Sequence, residues 1–411
     1  MPTDEKKPPD AMHFKSLQLE NVRAFASRQL LEFVDENGAI SRWNLILGEN
    51  GVGKTTLMQA LAVMWPVPAY KLPTGETPNL SKPELSEHEE DNDIAHFIRR
   101  GGPGLATMRA TLKTEEGIEV TIGVTIKGST KLEDVQWHDD PLVLRSGGPI
   151  VIGYGAARHV GHRNLALVEE RKAWESLFSD AIDLFDAEEL IQKLDYAAAK
   201  SDKGTEDGPD VRRLKAVKTV VASLLPGDLT ADDIEIRGPR IDGRDPDQSG
   251  VHVRTPSGVT PFADLSLGYQ TMFALIVDLG WRLFNAFPKS AAPLSESAIV
   301  LIDEVDLHLH PKWQRDLRPL LLKHFPKVQF IVTTHSPITA QEALSEGVEG
   351  NVAVVRWVEG EAHIFNDPVP RGEWRSDQLL VSDLFEFGSD RSKQAEEIGR
   401  ASCRERVLQV V

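Results

Sequence analysis

The sequence predicts an α/β protein built around a parallel β-sheet, and three observations predict it. The runs Ala298–Ile302 and Val328–Val332 are short and apolar but for Gln329, the pattern of parallel strands covered on both faces. A third run, Trp43–Leu47, ends at a glycine-rich turn that opens a stretch of helical periodicity. Strand and helix signals also alternate along most of the chain, as they do in α/β sheets.

Composition bounds the rest. The 411 residues suit one large or two modest domains, and a hydrophobic content of 41% is ample for a sizeable core. Acidic residues outnumber basic ones by 63 to 46, a net charge of −17. That excludes a protein that covers nucleic acid with most of its surface, which needs a positive face to displace counterions; local or indirect contact stays open. The one cysteine excludes an internal disulfide framework and argues against a cysteine-based zinc site. No apolar run approaches the roughly 18 residues of a membrane helix, and the first residues lack the apolar core of a secretory signal. A cytoplasmic protein with no membrane partner is expected.

In chain order, residues 1–12 read as a disordered tail. Phe14 to Val22 is strand-like, and Trp43–Leu47 is a buried strand. Leu57, Leu61 and Met64 recur as on one helical face until Pro66 and Pro68 stop the helix. Residues 66–93 are rich in Pro, Ser, Asn and Glu and read as a long surface insertion. Two alternating runs around Glu115-Glu116-Gly117 predict a β-hairpin. A strand follows at 149–155, then a helical segment at 165–225 with a polar gap at 201–209. Strand signals return after Pro226 with a turn at 255–258, and a helix is expected over Met272–Leu283.

The strongest chemical signal is Gly48-Glu49-Asn50-Gly51-Val52-Gly53-Lys54-Thr55, the pattern G-x-x-x-x-G-K-[ST]. Glycines let the backbone curl so that successive N–H groups face phosphate oxygens at the positive end of the next helix. Lys54 can then reach the β- and γ-phosphates of a nucleotide, and the Thr55 hydroxyl can ligate Mg²⁺, with Thr56 beside it. A second element, Ile299-Val300-Leu301-Ile302-Asp303-Glu304, ends a buried strand in two carboxylates. Asp303 there can hold Mg²⁺, and Glu304 can orient the water that attacks a γ-phosphate. A third places His335 just past a buried strand, where it can contact the γ-phosphate; alone a solvent-facing or capping histidine is favoured, and the other elements in this order turn the reading to the phosphate. His308 and His310 flank Leu309 but have no third ligand nearby, so packing or hydrogen bonding is favoured over metal.

These elements, in this order, resemble P-loop ATPases with ABC-type heads, of the RecF/SMC-like branch, and within it the stand-alone AAA family ATPases of the OLD and Septu PtuA kind. LQLENVRAF and NLILGENGVGKTTLMQAL resemble the first lobe, Leu265-Ser266-Leu267-Gly268-Tyr269-Gln270 the signature, IVLIDEVDLHLHPKWQ the Walker B and D-loop, and FIVTTHSP the switch-histidine segment. The resemblance spans most of residues 14–390. It implies an α/β P-loop NTPase fold, a two-lobed ABC ATPase head with a mixed β-sheet flanked by helices and a helical insertion. The implied division is lobe I at 13–160, the helical insertion at 161–230, lobe II at 231–368 and the start of a C-terminal helical region at 369–396. It implies ATP and Mg²⁺ as ligands and a homodimer, or higher oligomer, closed around ATP. Gly48 to Thr56 would bind the nucleotide, with Ser266 and Gly268 binding it from the partner protomer. Lys54, Glu304 and His335 would be catalytic, Thr55 and Asp303 metal ligands, and Asp306 would lie in the D-loop. A Septu-like arrangement would add a separate nuclease, such as an HNH protein.

Two departures stand out. Tyr269 follows Gly268 where transporters usually have glutamine, and no glutamine follows Tyr154-Gly155 where ABC heads place their Q-loop. Arg158 is the polar candidate there, but it reads more naturally as an exposed surface arginine. The 165–225 segment is too short for an SMC coil and reads as a compact helical subdomain, and its basic residues Arg212, Arg213, Lys215 and Lys218 as a solvated helix face. The last segment, 397–411, looks like the translation of a sequencing-library adapter, so the native reading is expected to end near Glu396. The leading expectation is a switch ATPase in bacterial defence or DNA repair. An ABC transporter subunit and a nucleotide-gated scaffold with little hydrolysis are the alternatives.

Overall fold

A computed structural model describes residues 11–35, 37–64, 97–127, 135–139, 148–160, 173–200, 208–225, 228–238, 250–255, 258–345 and 347–367, with 372 and 378–379. The expected insertion at 66–93, almost all of 369–396 and the segment 397–411 lie outside these residues, as do most of the 1–12 tail and of the 201–209 gap.

Fourteen strands are described, beginning with β1 (Met12–Glu20), β2 (Gln29–Glu32), β3 (Trp43–Leu47), β4 (Leu105–Thr114), β5 (Glu119–Lys127) and β6 (Val135–Asp139). Then come β7 (Val151–Tyr154), β8 (Ile234–Arg237), β9 (Gly250–Thr255), β10 (Gly258–Pro261) and β11 (Ala298–Ile302). β12 (Val328–Thr334), β13 (Asn351–Val358) and β14 (Glu361–Asn366) complete the set. The helices are α1 (Lys54–Val63), α2 (Ala187–Lys200), α3 (Pro209–Leu224), α4 (Leu267–Ala286), α5 (Pro311–His324) and α6 (Pro337–Ala343).

The central sheet has six strands in the order β14-β13-β3-β12-β11-β7. All its pairs are parallel except β13 with β14. β3 and β11 are therefore not neighbours: β12 lies between them. Alternate residues of these strands enter two cores. Leu45, Leu47, Val300, Ile302, Phe330 and Val332 join a cluster with α2 to α5, while Ile46, Ile299, Leu301 and Ile331 join one with α1 and the second sheet. Burial on both faces is why these strands read as apolar runs.

The second sheet is antiparallel, in the order β2-β1-β4-β5-β6, and contains the expected hairpin as β4 and β5. Helix α1 is enclosed between the two sheets, so nine of its residues are buried and not one face only. Gln329 pins the layers together: its amide accepts from Phe14 N and donates to Phe14 O, both at 2.8 Å.

Helices α2 and α3 cover α4, and a three-stranded sheet, β10-β9-β8, packs on α2. Helices α2 and α3, in the segment expected as a compact helical subdomain, share one continuous core with α4 and the central sheet. Their inward residues, Leu190, Ile191, Leu194, Val217, Val220 and Val221, are buried in it. The signature helix is longer than its apolar stripe suggested, starting at Leu267 rather than Met272.

Candidate phosphate-binding site

The loop Gly48–Gly53 leaves β3 and turns directly into α1. Gly51 and Gly53 take the left-handed backbone, with φ of 83° and 106°, which a residue with a side chain enters at a cost. Gly53 is also the N-cap, and no side chain caps the first turn, so the N–H groups that a helix start leaves over are offered to the cleft and not to the protein. Val52 differs from its neighbours: its side chain is buried in the core, so only its main chain faces the loop.

Lys54 folds back over the loop, its Nζ donating to the Gly48 and Glu49 carbonyls at 2.6 and 2.8 Å. Burial lowers its ammonium below the ordinary lysine value, while Asp303, Glu304, Asp306 and Glu49 favour its charge. Thr55 Oγ1 donates to Asp303 Oδ2 at 2.6 Å, which joins the two residues expected to hold the metal. Asn50, Gly51, Gly53, Lys54, Thr55, Thr56, Asp303 and Glu304 line one cavity of about 200 Å³. Two larger clefts, of about 430 Å³ each, open on the helical layer. Neither brings loop glycines to a carboxylate pair, so size does not locate this site.

The carboxylates are held by β12. The Thr333 hydroxyl donates to Asp303 Oδ1, and its own oxygen accepts Glu304 N at 2.8 Å. The Thr334 hydroxyl donates to Asp306 Oδ1. Because β12 runs parallel to β11 and ends beside it, two successive threonines clamp the two aspartates of the turn. Glu304 sits in that turn with φ 48°, a left-handed backbone at a residue other than glycine. Such conformations persist only where the surroundings over-determine them.

Not all the sequence candidates converge. His335 is exposed at the end of β12 and does not line the cavity, and neither do Ser266 and Gly268. Ser266 is exposed as the N-cap of α4, and its side chain makes no capping hydrogen bond. Gly268 is packed instead: a Cβ there would lie 2.4 Å from the His308 carbonyl oxygen. Gly268→Ala is therefore expected to cost about 1–3 kcal/mol, read as a lower urea midpoint. An unchanged midpoint would mean that the His308 carbonyl yields freely. Tyr269, the odd residue of the signature, packs edge-on against Trp313 of α5 with ring centroids 4.0 Å apart. His310 caps α5, its Nδ1 accepting Lys312 N, and no cluster of three potential metal ligands occurs among the described residues.

Four residues near the cavity carry contacts that their spacing did not announce. Thr333 and Thr334 are the clamp just described; two hydroxyls ending a strand that is apolar but for Gln329 were the available signal. Arg23 lies over the first turn of α1, its Nη1 3.1 Å from Gln59 Oε1, and Phe25 beside it closes the space over Gly53. Arg158 corrects the sequence reading: it is not an exposed surface arginine but is only 7% exposed, and its Nη2 donates to the Glu304 carbonyl at 2.5 Å. Burial lowers its guanidinium to about 10, although Asp303, Asp306 and Glu304 favour the charge.

A glycine-rich loop leaving β3 into a helix, carboxylates at the end of β11 and α4 packed on the turn that follows them are the arrangement of a P-loop ATPase domain. Residues 155–340 match the family described as "AAA domain, putative AbiEii toxin, Type IV TA system", and residues 16–147 match one described as "AAA domain". Within that class the chain is similar to Septu protein PtuA of Bacillus mycoides, at 25% identity over 90% of this chain and 44% of that protein. It is also similar to the "Retron Vc95 probable ATPase" of Vibrio cholerae, at 30% identity over 43% of this chain and 37% of that one. The matches thus span less than half the length of these two relatives. Among solved structures, the SMC head domain of Thermotoga maritima aligns over 87% of this chain and all of that one, with 16% identity and a TM-score of 0.47. No described helix is long and apolar enough to cross a membrane.

Proposed function

We propose that the protein is an ATP-hydrolysing switch whose two copies close around ATP and Mg²⁺. It would act in antiphage defence or DNA repair beside a separate nuclease, such as an HNH protein. The observation that carries this reading is the joining of Lys54, Thr55, Asp303 and Glu304 around one cavity. The similarity to a Septu protein and a retron ATPase supports the defence setting.

The residues fit the ligands. The uncapped first turn of α1 is a ready anion site, and Thr55 with Asp303 offers the hard oxygen donors that Mg²⁺ takes. Bound Mg²⁺ would neutralise charge on the β- and γ-phosphate oxygens. Lys54 would exchange its two carbonyl contacts for those oxygens, a change that leaves its charge satisfied throughout. Glu304, held at its main chain by Thr333, would orient the attacking water. Ser266, exposed and free of a capping bond, is available to a phosphate held by the other protomer, and His335 is available at the same edge. In this reading lobes I and II are the two sides of one head. Nucleic acid is touched locally or through the partner.

The test is Lys54→Ala. With ATP and Mg²⁺, the wild-type protein should shift to a dimer by light scattering and the variant should not, while its turnover falls by roughly 10²–10³-fold. A variant that associates like the wild type would end the sandwich reading.

A further inference from the structure

Arg158 is a costly residue to bury. Its Nε and Nη1 are enclosed and find no hydrogen-bond partner among the described residues, and only Nη2 is used, on the Glu304 carbonyl. Buried guanidinium donors left unpaired are destabilising unless something nearby needs the charge. Asp303, Glu304 and Asp306 crowd three carboxylates into four residues, and two cations stand beside them: Arg158, on the Glu304 carbonyl at 2.5 Å, and Lys54, which lines one cavity with Asp303 and Glu304.

The two cations are placed differently. Lys54 lines the cavity, where it would face a nucleotide, whereas Arg158 is buried and does not line it. Its approach is fixed by the exit of β7. Ser176 Oγ donates to Gly153 O at 2.9 Å and accepts Gly155 N at 3.2 Å, and His159 O accepts Leu184 N at 3.0 Å. The hydrogen bond that Arg158 makes is to a residue whose backbone is left-handed, a conformation that persists only where its surroundings hold it.

We propose that Arg158 is the positioning residue of the hydrolytic site: it sets the Glu304 turn through that carbonyl and remains the counter-charge of the three carboxylates once Lys54 engages phosphate. The inference rests on the ATPase reading for its kinetic consequence but not for its structural one.

The experiment compares Arg158→Met, which keeps bulk, and Arg158→Lys, which keeps charge, with wild type. Nucleotide affinity is measured with a fluorescent ATP analogue, turnover by phosphate release, and amide exchange of residues 304–309 in nucleotide-free protein. The methionine variant should lose turnover on the order of 10²-fold, the cost of a misplaced reacting group, with affinity within about threefold because Lys54 and the loop do the binding. Lysine should recover part of the loss. Amide exchange in the 304–309 turn should speed up in the methionine variant while β3 stays protected. Unchanged turnover, equal loss of affinity and turnover, or unchanged exchange in the turn would overturn the proposal. If wild type itself does not hydrolyse ATP, the ATPase reading fails, and the exchange measurement still decides whether Arg158 holds the turn.

Discussion

Glu304→Gln is expected to reduce ATP turnover by about 10²–10⁴-fold, the range over which a positioned general base contributes. Nucleotide affinity should stay within a few-fold, because Lys54, the loop glycines and the Thr55–Asp303 pair are left in place. The substitution is nearly isosteric, and the hydrogen bond that positions the residue runs from its main-chain N to Thr333. The turn should therefore survive and the loss should lie in the chemical step. In the dimer reading the variant accumulates the ATP-bound, closed form, so turnover by phosphate release and association by light scattering should move in opposite directions. A variant with wild-type turnover would remove Glu304 from the mechanism and leave another group to orient the water.

The largest effect on stability is expected at Asp278, a residue of no motif. This residue of α4 is fully buried, and its Oδ2 accepts the Tyr154 hydroxyl and Arg282 Nε, both at 2.6 Å. Its other oxygen takes Phe185 N at 3.4 Å. Burial and the neighbouring carboxylate push the Tyr154 hydroxyl well above the usual phenol range, so it stays a donor. Asp278→Ala strips three donors of their acceptor and leaves Arg282 without its counter-charge. Removal of one partner from a buried pair costs about 3–5 kcal/mol. The fall should appear as a lower urea midpoint in equilibrium unfolding, and Tyr154→Phe, which deletes one donor only, should cost about 0.5–1.5 kcal/mol. A loss under about 1 kcal/mol in the alanine variant would mean that water replaces the carboxylate. Because Tyr154 ends β7 and Asp278 lies on the signature helix, the same contact ties the strand leading to Arg158 to the helix headed by Ser266.

The nucleotide side of the site was legible because its signals are local. Gly48 to Thr55 specify a loop conformation and a helix start within eight residues, and the apolar run before them could only be a strand covered on both faces. Asp303 and Glu304 were legible for a related reason: a five-residue buried strand must deliver the next residues of the chain to the sheet edge. The hairpin of β4 and β5 was readable from alternation across a short turn. Its membership of a separate antiparallel sheet with β1 was not, since that depends on pairing residues nearly a hundred positions apart.

Arg158 shows where local reading stops. An arginine after Tyr154-Gly155 has no neighbouring pattern that predicts burial, and burial came from the approach of the Glu304 turn, 146 residues along the chain. Tyr269 looked like a defect of the signature until α5 supplied Trp313 for it to pack on.

The sequence by itself determined the phosphate loop, the carboxylate pair and the parallel strands that carry them, because backbone curvature, helix start and two-faced burial are set by residues adjacent in the chain. Only the tertiary structure decided that β12 separates β3 from β11, that Thr333 and Thr334 clamp Asp303 and Asp306, and that Arg158 is buried on the Glu304 carbonyl. Those facts arise where strand ends and buried charges meet across the sheet, and their energies depend on distances that no stretch of sequence contains.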